Sequence, residues 1–322
     1  MKSVSITIPT YNEERNIGNC LKSIFSQDYP KKLLQVLVID GGSTDKTVEI
    51  AKKLGAQVIF NKSKVEEKGK PYAIKTKAKG EIIGLIDADN IIPKNPDWLK
   101  RMIAPFDNPE IWASDTIHYS FRESDNLITK YNALIGGDDP IASYFGINDR
   151  LCFFNNKWTG MSHIEKDKGD YIEVTFFKDK IPAAGSNGFF FRKSLFNKVS
   201  NDPFIHPLFV YDIVNLGHNK IAKVKQGLIH KQDGSIITFF KKKIRRIKRR
   251  HSEEIKWRYN YNIKKSDIIK NSLYIATIIL PLKDMLAGYH RKKTSAWLFH
   301  PIAVFGLFSI YCYYALLGLK KA

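Results

Sequence analysis

The chain is poor in cysteine and in acidic residues, and it lacks two common nucleotide-binding signatures. Its three cysteines, Cys20, Cys152 and Cys312, are odd in number, far apart and without a C-x-x-C pairing. That disfavours a disulfide scaffold or a zinc module and fits a reducing compartment. No G-x-G-x-x-G follows the first apolar run and no G-x-x-x-x-G-K-[ST] occurs anywhere, so a dinucleotide dehydrogenase and a P-loop NTPase are poorly supported. The opening MKSVSITIP is short, alternating and ends on proline, unlike a secretory signal; a catalytic portion is expected to stay cytosolic. Only 32 Asp+Glu stand against 52 Lys+Arg, a net charge of +20. A surplus that large implies an anionic partner: nucleic acid, an acidic membrane face or a phosphorylated small molecule.

What is present is enough to build a core. The 322 residues, 43% hydrophobic and 12% aromatic, suit one large domain or two with an appendage. The charge is concentrated: residues 241–250, KKKIRRIKRR, hold eight basic side chains, interrupted only by Ile244 and Ile247. A helix there carries a narrow apolar stripe in a cationic sleeve, which reads as a solvated helix, a nucleic-acid arm or a clamp on anionic headgroups. From Ala296 to Leu319, 24 residues contain no Asp, Glu, Lys or Arg, long enough for a helix to cross a hydrocarbon layer of roughly 30 Å. Arg291–Lys293 precede it, Lys320-Lys321 follow, and Trp297, Tyr311, Tyr313 and Tyr314 are candidate interfacial anchors. His300 and Pro301 suggest that its first turn lies at the surface. The apolar stretch 271–282 is too short to span and is expected to form an in-plane or re-entrant helix broken at Pro281; a buried helix pair is the alternative for both segments.

The first half alternates strand and helix patterns. Strands are expected at Val4–Pro9, Leu33–Asp40, Gln57–Phe60 and Glu81–Ile86, with helices over Glu13–Gln27, Lys46–Leu54 and 70–79, the last entered at Lys70-Pro71. Such alternation predicts right-handed crossovers and a mostly parallel sheet. Ligands bind beyond the carboxyl ends of such strands, where three polar clusters fall: 9–13, 40–45 and 87–89. Asp87 and Asp89 flank a small residue, and in an extended segment positions i and i+2 face one side. Both carboxylates can then meet one hard cation, Mg²⁺ or Mn²⁺, shared with substrate phosphates. Asp40 can accept from a base N–H or a ribose hydroxyl, or serve a turn; Lys70 can meet a phosphate or be solvated.

The segments VSITIPTYNEERNI (4–17), VLVIDGGSTDKT (36–47), GKPYAIKTKAKGEIIGLIDADN (69–90), AAGSNGFFFRKSLF (183–196) and YDIVNLGHNKIAKVKQGLIH (211–230) together resemble the ordered motifs of glycosyltransferase family 2. The resemblance implies a GT-A fold, a Rossmann-like α/β architecture with a mostly parallel central sheet, followed here by C-terminal membrane-associated helices. It also implies an inverting hexosyltransferase using a nucleotide sugar. By residue, it implies nucleotide-sugar contacts from Pro9, Thr10, Tyr11, Glu13, Asp40 and Ser43, and from Lys70, Asp87, Ala88 and Asp89. It places Ser186, Asn187 and Gly188 on the acceptor side of that pocket, Asp87, Asp89 and His230 at a divalent cation, and Asp212 as catalytic base. Three departures stand out: Asp40-Gly41 where the family often has paired aspartates, Tyr211-Asp212 where Glu-Asp is usual, and no Gln-x-x-Arg-Trp. The last counts against a processive polymerase and for transfer of one sugar.

The expected organisation is a catalytic domain over 1–235 (nucleotide-sugar half 1–112, acceptor half 113–235), a basic juxtamembrane helix over 236–266 and membrane-associated helices over 267–322. The expected function is transfer from a UDP- or GDP-sugar to a lipid-linked or polyprenyl-phosphate acceptor at the cytosolic face of an anionic membrane, in cell-envelope or glycan biosynthesis, with no nucleic-acid partner. A nucleotidyltransferase and a basic nucleic-acid-binding protein are the alternatives.

Overall fold

The structure is a computed structural model, and it describes residues 1–319 except 201, 202, 233, 253–258, 260 and 278. Lys320-Lys321 and part of the 236–266 segment therefore lie outside the described residues. The chain opens as β1 (Val4–Thr10), α1 (Ile17–Phe25), β2 (Leu34–Asp40), α2 (Thr47–Lys53), β3 (Gln57–Phe60), α3 (Glu66–Thr76) and β4 (Ile82–Leu85). It continues through β5 (Asn90–Ile91), α4 (Trp98–Ile103), β6 (Ile111–Ser120), α5 (Leu127–Ile135) and α6 (Pro140–Tyr144). Then come β7 (His163–Asp167), β8 (Tyr171–Phe176), β9 (Phe189–Arg192), α7 (Lys193–Phe196), α8 (His206–Asn215) and β10 (Lys220–His230). The last helices are α9 (Ile236–Ser252), α10 (Lys265–Ala276), α11 (Ile279–Arg291) and α12 (His300–Leu319).

These elements pack as two compact units, residues 1–120 with 162–231, and residues 121–161 with 232–322. The first unit holds a mixed sheet in the order β3-β2-β1-β4-β9-β6-β10-β8-β7, with β5 paired to β10. The four leading strands run parallel, as the strand–helix alternation predicts. Ile6, Ile8, Leu37, Val38, Ile82 and Ile83 are fully enclosed, the continuous apolar signature of strands covered on both faces. Beyond β4 the sheet turns mixed: β9 lies antiparallel between β4 and β6, while β6 and β10 are parallel.

Two sequence expectations shift in this unit. The third helix starts at Glu66, not at Lys70, because Val65 takes the extended entry position and Glu66-Glu67 complement the first turn. Pro71 therefore sits inside the helix, where it has no N–H for the Glu67 carbonyl. Phe204 N–H donates to that carbonyl instead, at 2.8 Å. The fourth strand ends at Leu85, and Asp87–Asp89 form a turn.

The second unit is helical, and the clustered aromatics of the 140–160 region help build its core. Tyr131, Phe154, Phe239, Trp297, Phe299, Val304 and Leu307 pack together, with Tyr144, Phe145 and Phe153 against them. The core includes one polar chain. Tyr131 donates to His300 Nδ1 (3.0 Å), His300 Nε2 meets the Tyr144 hydroxyl (3.1 Å), and Tyr144 and Tyr274 donate to Asp284 (2.8 and 3.0 Å). With the Tyr144 proton committed to Asp284, His300 must carry its own on Nε2. His300 is fully buried and Trp297 almost so; the start of the apolar segment is thus core, not surface. A Cβ on Gly288 would come within 2.4 Å of the Trp297 ring, and one on Gly306 within 2.4 Å of Phe240, so glycine is what lets these helices approach. The break before α11 falls at Thr277, and Pro281 sits in that helix's first turn, where no donor is required.

Between β6 and β10 the Lys223 ammonium meets the Asp115 carboxylate at 2.8 Å, both side chains wholly buried. Removing one partner strands a buried charge, at a cost of about 3–5 kcal/mol. Lys223→Met should therefore lower the urea midpoint of the sheet unit sharply, while Lys223→Met combined with Asp115→Leu recovers most of the loss. A single variant as stable as the parent would refute this assignment.

Candidate active site

At the carboxyl ends of β1, β2 and β4 the chain encloses a cleft of about 280 Å³, lined by Pro9, Thr10, Tyr11, Glu13, Asn61, Lys64, Glu66 and the Asp87–Asp89 turn, among others. Parallel strands end in diverging loops, so the wall must be tied together, and here the ties are side chain to backbone. Asn12, at φ 55°, accepts from Thr44 N–H (2.8 Å), and Thr47 Oγ1 accepts from Glu13 N–H (2.7 Å). Ser43 Oγ accepts from Asn12 N–H (2.9 Å) while donating to Asp40 (2.5 Å). Asp40 is buried and also accepts from the N–H groups of Gly42 and Ser43 (2.9 and 3.0 Å). Asp40 and Ser43 thus stand behind the cleft lining and shape its loop. Tyr11, by contrast, keeps 62% of its surface exposed at the cleft.

The Asp87–Asp89 turn is held by Asn90. Asn90 Oδ1 accepts from Asp87 N–H (3.0 Å), Asn90 N–H donates to the Asp87 carbonyl (3.0 Å), and its amide nitrogen donates to Asp89 Oδ1 (3.0 Å). The two carboxylates therefore face one cleft through a stapled turn and not through strand alternation. On the far side of Asp89, His230 Nε2 lies 3.4 Å from Oδ2. The end of β10 is fixed there by antiparallel pairing of His230 with Asn90 and by the Lys231 N–H to the Asp89 carbonyl (3.0 Å). Asn187, at φ 44°, brings its amide to 3.4 Å from His230 Nδ1, and Gly188 N–H donates to the Leu85 carbonyl (2.7 Å). Asn187 and Gly188 are thereby joined to the Asp89 end through β4 and His230, outside the lining itself; Ser186 precedes them.

Lys70 is buried, not solvated. Its ammonium touches Glu66 Oε1 at 2.5 Å, His206 Nε2 at 3.2 Å and Asp87 Oδ1 at 3.6 Å. Burial alone would push this lysine down, but Glu66 and Asp87 outweigh it and hold its pKa above the usual value. Burial and the Lys70 charge push His206 down to about 3, so its neutral ring accepts from Lys70. Burial, with Glu66 and Asp89 nearby, pushes Asp87 up to about 6 despite the opposing Lys70. Asp212 is half-buried on α8 and is not part of the cleft lining; it lies six residues, roughly 9 Å along the axis, from His206, where that helix meets Lys70.

Asn90, Glu66 and His206 are the residues the sequence reading left without a role. Asn90 follows the acidic pair directly and Glu66 stands four residues before Lys70, a helical neighbour; no local pattern pointed to His206.

The sequence model of a family described as Glycosyl transferase family 2 matches residues 5–199. A dolichyl N-acetyl-alpha-D-glucosaminyl phosphate 3-beta-D-2,3-diacetamido-2,3-dideoxy-beta-D-glucuronosyltransferase of Methanococcus voltae is 43% identical over 76 residues, covering 23% of this chain and 24% of that protein. A beta-monoglucosyldiacylglycerol synthase of Synechocystis is 28% identical over 149 residues, 44% of this chain and 30% of that one. The matches thus span less than a third of the length of these two relatives. Among solved structures, mannosyltransferase PcManGT from Pyrobaculum calidifontis, in complex with GDP-Man and Mn²⁺, superposes with a TM-score of 0.55 over 97% of this chain and 86% of that one, at 16% identity. That likeness is one of fold, and the fold is GT-A.

Because Asp87 titrates near 6 in the folded chain but near 3.8 as a free carboxyl, its protonated form stabilises the fold below about pH 4, and that contribution is lost as pH rises through 6. Asp87→Asn should therefore raise the melting temperature of the ligand-free protein above pH 6 and leave it unchanged near pH 4. An equal shift at both pH values would count against a strained carboxylate.

Proposed function

The chain belongs to glycosyltransferase family 2, and from that premise we propose that it moves a single sugar, with inversion, from a UDP- or GDP-sugar to a lipid-linked or polyprenyl-phosphate acceptor at the cytosolic face of a membrane. The observation that carries this reading is the placing of Asp87 and Asp89 in one cleft with the Pro9–Glu13 wall, beyond the ends of parallel strands. Two relatives whose names specify dolichyl phosphate and diacylglycerol acceptors support the lipid-linked class, as does the 24-residue helical stretch Ser295–Gly318, long and apolar enough to cross a membrane by length and composition. On this reading residues 1–112 form the nucleotide-sugar half and 113–235 contribute the acceptor half through Ser186–Gly188, Asp212 and His230.

The donor set suits a hard divalent cation. Asp87, Asp89 and His230 offer carboxylate oxygens and an imidazole, and Asp87, pushed up by burial and further by Glu66 and Asp89, is a carboxylate whose ionised form a cation would favour. Among the described residues no three His, Cys, Asp or Glu side chains gather as a ready cage; on this reading Mg²⁺ or Mn²⁺ would share its shell with the donor diphosphate. When bound, such an ion supplies Lewis-acid stabilisation of the leaving diphosphate.

The chain's own residues do the rest. Tyr11 offers an exposed ring for the base to stack on, and Asn61 and Lys64 complete that wall. Asn90 fixes the Asp87 backbone and the Asp89 carboxylate in place without reorganisation. Lys70 supplies fixed positive charge behind Asp87. Asp212 takes the proton of an acceptor hydroxyl; an acceptor phosphate, ionised near neutrality, needs no such help.

Asp89→Asn should reduce turnover by about 10²–10³-fold or more. Asp212→Asn should cost about 10²–10⁴-fold with a hydroxyl acceptor and little with a phosphate acceptor, so assaying both variants on both acceptor classes identifies the acceptor chemistry. A thermal-shift screen of sugar nucleotides with Mn²⁺ should yield one stabilising donor; no shift with any of them, with Mn²⁺ or Mg²⁺, would sink the reading.

A further inference from the structure

The helical unit leaves three apolar stripes uncovered. On α11, Ile279, Leu282, Leu286 and Tyr289 follow helical spacing and are 72%, 40%, 53% and 46% exposed. On α10, Ile269 and Leu273 lie one turn apart and are both exposed, and so are Leu298 in the turn before α12 and Ile302, Tyr313 and Leu316 on it. An amphipathic helix ordinarily buries such a face; here the core takes Ile275 and Met285, with Tyr274 and Asp284 joining the His300 chain, and leaves the other apolar side chains outside. Exposed lysines accompany the stripes, Lys264, Lys265 and Lys270 around α10, Lys283 on α11, and Lys292-Lys293 after it. Apolar stripes interleaved with exposed cations complement an anionic lipid surface.

The long apolar helix does not behave as a span. Ala303, Val304 and Leu307 are fully buried in the unit's own core, and Trp297, an expected interfacial anchor, is enclosed beside Gly288. Tyr311, eleven residues into α12, donates to Asp139, which lies 3.6 Å from the Lys243 ammonium. Asp138 in turn takes Lys243 (2.8 Å) and Arg246. Charged groups of that kind are not held against a helix in hydrocarbon without heavy cost. What extends beyond this contact, residues 312–319, is about 12 Å of helix, less than half of a hydrocarbon layer of ~30 Å.

We infer that α10, α11 and the outer part of α12 form a monotopic membrane-docking surface for an anionic bilayer, with no segment crossing it, so that both ends of α12 stay on the side from which the chain approaches. This inference rests on the membrane association proposed above and not on the sugar transfer.

Two measurements on the full chain test it. In flotation with vesicles containing phosphatidylglycerol, the parent should bind and the double variant Leu282→Glu/Leu286→Glu should bind at least tenfold more weakly, with unchanged circular dichroism because both side chains face solvent. In inverted membrane vesicles, whose cytosolic face is outward, a tag placed after Ala322 should be removed by added protease. A protected tag with intact flotation would overturn the monotopic arrangement while leaving membrane association standing. Failure of the parent to float, or a stable lipid-independent dimer that buries these stripes, would overturn both.

Discussion

The cleft depends on keeping Glu66, Asp87 and Asp89 close together, and Lys70 is what makes that tolerable. Three carboxylates at a half-buried strand end repel one another, and Asp87 is pushed up first by burial and then by Glu66 and Asp89. Lys70 sits behind two of them with its side chain almost wholly out of water. A buried ammonium needs several acceptors, and here it has Glu66, Asp87 and the neutral His206 ring. One positive charge against three carboxylates leaves the site acidic on balance.

Both units bury charge, and the helical one adds a neutral chain. The sheet unit pairs Lys70 with its carboxylates and Lys223 with Asp115, and the helical unit pairs Arg150 with Asp149 and Lys243 with Asp138, each compensated at short range. The helical unit's second arrangement is a run of neutral groups, Tyr131 to His300 to Tyr144, that ends on a single carboxylate. The first arrangement biases a site electrostatically; the second fixes the relative rotation of helices through directional bonds. Of the basic run, Lys243 is buried against Asp138 and Arg246 pairs with the same carboxylate from the surface, so its charge is only partly available to partners.

Much of this was legible before any coordinates. The alternation of β-rich and helical stretches gave the parallel strands, and the polar clusters at their ends marked the cleft, because strand termini are where such a sheet binds. What escaped were features set by partners distant in sequence. Lys70 looked like a surface lysine or a phosphate contact, since nothing local announced His206, 136 residues away. The helix start at Glu66 was hidden by the usual preference of proline for a first turn, and the burial of Trp297 and His300 by composition alone, which cannot tell a core helix from a lipid-facing one.

Pro71 carries a consequence of its own. By leaving the Glu67 carbonyl open to Phe204 N–H, it splices the helix bearing Lys70 to the stretch that leads into α8. Lys70 and His206 meet two residues further along the same seam. The buried counter-charge behind Asp87 and the helix bearing Asp212 are thereby joined, so that any displacement of that helix would be registered as a change of field at Asp87.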